Sequence, residues 1–312
     1  MGEVGKEIRS LGELLERAKG AGKVTVAVAA AQDEAALSAL HEADRVGLAE
    51  ALLFGPEAEI RSVWAQLGTP LPASMTIRDC PTEHKAVRAA VVAVRQGEAD
   101  ILLKGKTKTA TLLKTVLDAE FGLRTGRLLS DVFLCEDPRR AGNKLLMITD
   151  GGVTLCPDVN QKVEIIQNAV EVAHALGIES PRVALLSAVE TVVPALASTV
   201  DAAIITKMWE RGQIKGCILD GPLALDNAVS EEAARIKGIS SPVAGRADIL
   251  VCPTIEAANM LAKSTTYFAG FRLAHVIVGA KAPVLIPSRS DTADAKLLSV
   301  ALGVVVCKRA RR

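Results

Sequence analysis

The chain has 312 residues, which is long enough for about two domains that each bury a hydrophobic core. Of these residues 49% are hydrophobic but only 3% are aromatic, so aliphatic side chains fill the interior, as is usual in parallel sheets covered by helices on both faces. With 37 basic and 36 acidic residues the formal charge is +1, which excludes recruitment of nucleic acid or of an anionic membrane by a global field.

The first third of the chain alternates short apolar runs with amphipathic stretches. An amphipathic helix is predicted before residue 20. Strands are then predicted at residues 24–28, 51–54, 75–77 and 100–103, and helices at residues 33–45, up to 64, at 82–96 and from about 110. This alternation is typical of βαβ units, whose right-handed connections place the strands in one parallel sheet.

Two further apolar runs, residues 128–135 and 144–149, lie on either side of a polar insert at residues 136–143. The insert indicates either a hairpin or a domain crossing. The alternation then resumes, with a helix at 159–176, a strand at 183–186, a helix at 202–211, a strand at 216–219, and further elements at 230–237, 249–252 and 255–263.

The end of the chain is too short to fold alone. Beyond residue 287 we predict one helix and one strand, the latter at residues 303–306, and two elements cannot bury a core. This end is therefore expected to return to the first sheet. The predicted architecture is a two-lobed α/β fold with doubly wound, mostly parallel sheets and a cleft between the lobes. Residues 1–137 plus 280–312 form the predicted first domain, and residues 138–279 form the second.

The loop after the fourth predicted strand is rich in lysine and threonine. It reads KGKTKT at residues 104–109, yet it does not match the P-loop motif, because Asp100 stands where the first glycine is required. Lys104 and Thr107 at the start of a helix remain candidates for holding a phosphate. A solvated basic loop with a threonine helix cap is the alternative.

The stretch VLIPSRSDTADAK, residues 284–296, joins an apolar strand to a run that can open a helix. At such a junction the free backbone N–H groups form an anion site, around which Ser288, Arg289, Asp291 and Asp294 gather. Capping boxes are the alternative for the serine and the aspartates. Capping does not explain Arg289, because a cation at a helix N-terminus opposes the dipole unless an anion is bound.

Several loops after residue 150 carry more glycine, aspartate and asparagine than turns require. They are DGGVTLCPD at 150–158, QKVEIIQNA at 161–169, SAVE at 187–190, KMWERGQIKG at 207–216, DGPLALDNA at 220–228 and PVAG at 242–245. Together with SRSD at 288–291, these motifs resemble those of the phosphate acetyl/butyryltransferase family, closest to its phosphate butyryltransferase branch. The match runs from about residue 102 to residue 302, whereas the first hundred residues match only in rhythm.

The resemblance implies an enzyme that interconverts acyl-CoA and phosphate with acyl phosphate and free CoA, most closely with a butyryl group. Phosphate acetyltransferase is the alternative. It also implies the fold of isocitrate and isopropylmalate dehydrogenases, a site in the cleft, and a homodimer or larger assembly. Coenzyme A is then a substrate, the partners are small molecules, and no metal or tightly bound cofactor takes part.

Roles for individual residues follow from the resemblance. Ser288 and Arg289 are expected to act on the carbonyl and the phosphate, with Asp291 or Asp294 as the base. Further substrate-binding candidates are Arg127 with Arg124 behind it, and Asp220 and Asn227 on the floor of the cleft. Surface cations at a helix end and simple turn residues are the alternatives for these four.

Two other classes compete with this interpretation. A metal- and NAD-dependent hydroxyacid dehydrogenase lacks support, because no GxGxxG motif follows the early strand and no aspartates have obvious metal spacing. An inactive ligand-sensing relative is disfavoured by the presence of Ser288, Arg289 and both acids. The single cysteines and histidines predict neither disulfides nor zinc, and the absence of a long apolar run predicts a cytoplasmic protein without a membrane span.

Overall fold

The computed structural model describes residues 6–138, 144–288 and 290–310. The chain forms two compact units. The split unit comprises Gly12–Arg127 and Ala274–Arg312, and the middle unit comprises Met1–Leu11 and Leu128–Leu273.

The units change after Arg127 and after Leu273, whereas the predicted domain boundaries lie after residues 137 and 279. The difference at the first boundary has a physical cause. The strand before the polar insert pairs antiparallel with the strand after it, from Val132 opposite Thr149 to Asp137 opposite Lys144. The insert therefore connects two neighbouring strands of the middle unit.

The split unit is an α/β unit with one mostly parallel set of strands. Its elements are α1 (Leu11–Gly20), β1 (Val24–Ala29), α2 (Glu34–Arg45), β2 (Ala49–Gly55), α3 (Glu57–Ala65), β3 (Met75–Asp79), α4 (Glu83–Gln96), β4 (Ile101–Lys104), α5 (Thr109–Val116), β10 (Leu273–Val278), β11 (Val284–Leu285) and α11 (Ala293–Ala310). The strand order is β3-β2-β1-β4-β11-β10, and β10 is antiparallel to β11. The other pairs are parallel, as the alternation predicts.

The middle unit has the same construction. Its elements are β5 (Ser130–Asp137), β6 (Lys144–Thr149), α6 (Val159–Ala175), β7 (Arg182–Leu186), α7 (Ala197–Glu210), β8 (Ile218–Leu223), α8 (Leu225–Val229), α9 (Glu231–Ile236), β9 (Ile249–Val251) and α10 (Ile255–Tyr267). The strand order is β5-β6-β9-β7-β8, with β5 antiparallel to β6 and the other pairs parallel. Its core is built mainly from alanine, leucine, isoleucine and valine.

Local signals explain where several helices begin and end. Asp33 accepts a hydrogen bond from the Ala36 N–H at 2.9 Å and caps α2, and Thr82 caps α4 in the same way. Gly97 ends α4 in the left-handed conformation, with a φ of 81° that a side chain would disfavour. These helices are confirmed close to their predicted bounds.

The predicted strand at residues 303–306 is wrong, because α11 continues as a helix to Ala310. Leu298, Leu302 and Val305 are all buried, as are most residues between them, so this part of the helix has no polar face. A helix that is apolar on every side lacks the 3.6-residue pattern by which sequence analysis detects helices. Gly303 lies close to β4, since an added Cβ would come 3.2 Å from Ile101 Cδ1.

Among residues 6–138, 144–288 and 290–310, no helix is both long and apolar enough to cross a lipid bilayer.

Candidate active site

The strongest candidate site of the split unit lies where β4 and β11 end. These strands are parallel neighbours, with Leu103 opposite Leu285, so the residues that follow them emerge at the same edge. Lys104 ends β4, and Ser288 follows β11 by three residues. The structure thus brings together two segments that the sequence analysis selected separately. In open α/β sheets this edge is where ligands bind.

The loop after β4 is held tightly against the end of β1. The Gly105 N–H donates to the Ala29 carbonyl at 2.9 Å, and the Lys106 N–H donates to the Ala30 carbonyl at 2.7 Å. A Cβ on residue 105 would lie 2.1 Å from the Ala30 oxygen, so only glycine allows this approach. The glycine at position 105 therefore lets these two backbone hydrogen bonds fix the loop against β1.

Lys104 and Thr107 of the same loop have different partners. Lys104 Nζ lies 3.3 Å from the Gly105 carbonyl oxygen and 3.4 Å from that of Thr107. The Thr107 hydroxyl donates to Glu83 Oε1 at 2.6 Å, so its single proton is committed to a carboxylate. This geometry favours Lys104 over Thr107 as an anion-binding group.

The loop after β11 is closed by reciprocal hydrogen bonds between Ser288 and Asp291. The Ser288 N–H donates to Asp291 Oδ2 at 2.7 Å, and the Asp291 N–H donates to the Ser288 carbonyl at 3.1 Å. The hydroxyls of Ser288 and Ser290 lie 2.9 Å apart. The aspartate thereby fixes the backbone that carries the serine. Arg289 lies outside the described residues.

A buried histidine contacts this loop from β10. His275 is 7% exposed, and its Nε2 lies 3.8 Å from Asp291 Oδ2. Burial opposes ionisation of Asp291, but contact with His275, the Ser288 N–H, and the charges of His275 and Lys296 outweigh it and lower the pKa of Asp291. The sequence analysis missed His275. Its signal was a histidine inside the otherwise apolar run LAHVIV at residues 273–278.

The capping boxes considered for the serine and aspartates are absent from the described start of α11. Thr292 caps this helix instead, since its hydroxyl accepts from the Ala295 N–H at 3.1 Å. Asp294 is exposed in the first turn, whereas Asp291 is half-buried and directed to the loop. The two aspartates therefore have different surroundings.

Arg124 and Arg127 belong to a loop that is attached at the other end of β11. The Thr125 hydroxyl donates to the Gly279 carbonyl at 2.5 Å, and the Lys281 N–H donates to the Leu123 carbonyl at 2.9 Å. Residues 279–281 lie in the connection that precedes β11, whereas Ser288 follows it. The backbone attachments of the split unit thus do not bring these arginines to the strand end that carries Ser288.

Two predicted residues, Asp220 and Asn227, lie in the middle unit. Asp220 lies within β8, opposite Ala184 of β7, and its Oδ1 accepts from the N–H of the next residue, Gly221, at 2.8 Å, so it is a strand residue and not a turn residue. Asn227 is fully buried, and its amide donates to Glu190 Oε2 at 3.1 Å. Lys237 bonds the same carboxylate oxygen at 3.2 Å, and this bond is the main cause of the lowered pKa of Glu190. Asn227 therefore supports a polar cluster.

The loop after β6 is organised by Asp150, for which the sequence analysis predicted no role. Its carboxylate accepts backbone hydrogen bonds from Asp131, Gly152, Val153 and Thr154, at 2.8 to 3.1 Å. Burial is the largest influence and raises the pKa of Asp150. Four N–H donors around one buried carboxylate give this loop a single shape.

Comparison with known proteins identifies the family. The family model described as phosphate acetyl/butaryl transferase matches residues 73–304. The chain belongs to this family. It is 48% identical to the phosphate acetyltransferase of Thermotoga maritima, over 95% of this chain and 99% of that protein. It is 46% identical to the phosphate butyryltransferase of Clostridium beijerinckii, over 96% and 99% respectively.

A solved structure supports the same assignment. The crystal structure of a branched-chain phosphotransacylase from Enterococcus faecalis matches with a TM-score of 0.80 and 34% identity, and covers 91% of this chain and 99% of that one. The predicted α/β fold class with mostly parallel strands is confirmed.

As a member of the phosphate acetyl/butaryl transferase family, the chain is a phosphate acyltransferase, and the predicted enzyme class is confirmed. The similarity also extends further than the motifs indicated. The relatives align over nearly the whole chain, including most of the first hundred residues.

Proposed function

We propose that this phosphate acyltransferase is a phosphate butyryltransferase, which interconverts butyryl-CoA and phosphate with butyryl phosphate and CoA. The observation that carries the proposal is the 46% identity to a phosphate butyryltransferase over 96% of the chain. The 34% identity to a branched-chain phosphotransacylase also favours an acyl group larger than acetyl. Phosphate acetyltransferase is the second candidate, because the Thermotoga maritima relative with that name is 48% identical.

Ser288 and Arg289 are the proposed centre of the chemistry. Ser288 is supported by its position after β11, at the strand edge where Lys104 also emerges. Its hydroxyl is proposed to donate to the acyl carbonyl oxygen as negative charge develops there. Arg289 is proposed to bind two phosphate oxygens with its planar guanidinium, a bidentate geometry that lysine does not provide.

Deprotonation of the CoA thiol is the difficult step. A thiol with a pKa of about 8.5 and an aspartate with a pKa of about 3.9 differ by roughly 4.6 units, or about 6 kcal/mol for complete proton transfer. The pKa of Asp291 is lowered, which widens that difference. Asp291 is therefore proposed mainly to hold the serine loop. Asp294, exposed in the first turn of α11, is the better candidate for the base.

Substrate binding is proposed to involve further residues. Lys104 supplies a cation at the same sheet edge as Ser288 and is proposed to neutralise the phosphate together with Arg289. Thr107, Arg124 and Arg127 are retained as weaker candidates. Asp220 and Asn227 are proposed to act by shaping backbone, in keeping with their hydrogen bonds in the middle unit.

The proposal also covers the cofactor requirement, the cellular location and the oligomeric state of the enzyme. CoA takes part as a substrate, without a tightly bound cofactor, and the protein works in the cytoplasm as a homodimer or larger assembly. The support for these points is membership of the phosphate acetyl/butaryl transferase family. Light scattering of the purified protein measures the assembly, and a monomeric mass would contradict that part of the proposal.

The activity is tested by the release of free thiol from acyl-CoA. Purified protein is given butyryl-, acetyl- or isobutyryl-CoA, with and without phosphate, and free thiol is titrated with a chromogenic disulfide. We expect release only with phosphate, unaffected by EDTA, and the largest kcat/KM with butyryl-CoA. Phosphate-independent release indicates a hydrolase, whereas a larger kcat/KM with acetyl-CoA assigns the chain to phosphate acetyltransferase.

A further inference from the structure

We propose that His275 is a positioning residue of the acyltransferase reaction, because it holds the carboxylate that fixes the Ser288 loop. This inference rests on the proposed role of Ser288. His275 Nε2 lies 3.8 Å from Asp291 Oδ2, the same oxygen that accepts the Ser288 N–H at 2.7 Å. One carboxylate oxygen therefore serves both the histidine of β10 and the backbone of the reactive loop.

The backbone around His275 is fixed independently of its ring. The His275 N–H donates to the Ser299 hydroxyl of α11 at 3.1 Å, and that hydroxyl donates to the Ala295 carbonyl at 2.8 Å. The antiparallel register of Ile277 with Val284 places His275 beside residue 286, two residues before Ser288. The strand and the helix are thus joined at this point, and the backbone of His275 is fixed relative to the start of α11.

Burial makes the contact effective. The side chains of His275 and Asp291 are 9% and 20% exposed, and at low exposure a nearby charge or N–H donor acts on a carboxylate more strongly than in water. Among the described residues of the adjoining loop and the first turn of α11, the charged groups are Asp291, Asp294 and Lys296, and Lys296 adds to the attraction for Asp291. Without the histidine, the carboxylate can turn toward solvent and release the Ser288 N–H.

The test compares two replacements of His275 with a matched control. His275→Gln keeps a polar side chain with N–H groups at this position, whereas His275→Leu keeps similar bulk without any N–H group. His84→Gln, on the exposed surface of α4, is the control. The kcat and KM for butyryl-CoA and for phosphate are measured for each variant, together with the melting temperature and the folded fraction by circular dichroism.

We expect His275→Leu to lower kcat about tenfold to a hundredfold, with KM values within about twofold, because a small misplacement of a reactive group mainly affects the transition state. His275→Gln should recover at least five times the kcat of His275→Leu at equal folded fraction, since its amide keeps an N–H dipole near the half-buried Asp291 carboxylate. If His275→Leu does not fold, His275→Asn replaces it, because the shorter amide cannot reach Asp291.

Equal kcat in the two variants, whether both are normal or both are reduced, would overturn the inference. A loss of kcat that only follows the folded fraction would also overturn it, because that result assigns a structural role. Failure of the proposed function looks different: the wild type and His84→Gln would then release no thiol with phosphate. If both are active and neither His275 variant differs from them, only the inference about His275 fails.

Discussion

Replacement of Asp291 by asparagine separates its positioning role from catalysis. The asparagine oxygen can still accept the Ser288 N–H, but the contact with His275 at 3.8 Å loses its charge, as does the attraction of Lys296. Hydrogen bonds to charged groups contribute about 1.5–3 kcal/mol and neutral ones about 0.5–1.5 kcal/mol. We therefore expect Asp291→Asn to lower the free energy of unfolding by about 1–1.5 kcal/mol at pH 7. No helix cap is lost in addition, because Thr292 caps α11.

The effect has a defined pH dependence. The folded protein lowers the pKa of Asp291, so its stabilising contribution is complete above the unfolded pKa and disappears as the pH falls through the folded pKa. With an unfolded pKa of about 3.9, the part of the difference between wild type and Asp291→Asn that depends on ionised Asp291 is present at about pH 5 and above and shrinks below about pH 4.

Urea unfolding between pH 3.5 and 7 measures this difference, and thiol release at pH 7 measures kcat. Asp294→Asn is the matched variant, since Asp294 is exposed and its replacement should change stability by less than about 0.5 kcal/mol. If Asp294 is the base, that variant loses kcat while remaining stable. A stability difference for Asp291→Asn that does not decrease below pH 4, or no difference at pH 7, would refute the assignment of Asp291 as the charged anchor of the loop.

Outcomes are expected for four further variants. Thr292→Ala should lower stability by about 1 kcal/mol and leave kcat unchanged, as measured by thermal unfolding and thiol release, because it removes only the cap of α11. Arg289→Lys should lower kcat/KM by about 1.5–3 kcal/mol and raise the KM for phosphate, through loss of bidentate geometry; unchanged kinetics would contradict this. Gly152→Ala should strongly reduce soluble protein, since its Cβ would lie 2.4 Å from Asp131 Oδ2. Gly126→Ala, where the space is open and only the φ of 88° is strained, should remain soluble and cost about 1 kcal/mol.

The predictable part of the fold is the part in which sequence periodicity and packing agree. Strands such as β1 and β4 are apolar runs between amphipathic helices, so their positions and parallel pairing follow from the alternation. A strand was wrongly predicted at residues 303–306 because this part of α11 is buried on all sides. Such burial removes the 3.6-residue pattern of apolar and polar residues that indicates a helix.

For the candidate site, the sequence indicated the segment that carries Ser288 but not the side-chain contacts that this segment makes. Ser288 and Lys104 each stood out by residue type, and the parallel register of β4 with β11 brings them to one edge. The contact between His275 and Asp291 joins residues from different elements, so spacing along the chain gave no indication of it. Thr292 caps α11 although Ser288, Ser290 and Asp291 lie just before it, and sequence rules do not distinguish among Ser, Thr and Asp as helix caps.

The division of the chain has a consequence for biosynthesis. The middle unit is almost entirely one continuous segment, Leu128–Leu273, whereas the split unit requires Ala274–Arg312 for β11 and α11. During translation the middle unit can close while the last part of the chain is still inside the ribosome, because domains fold as their residues emerge. Gly12–Arg127, although synthesised earlier, must wait with the edge of β4 uncovered until β11 is released. The split unit, whose first part is synthesised before the middle unit, is therefore completed after it. Misassembly of the nascent chain is most favoured in the interval between the synthesis of β4 and the synthesis of β11.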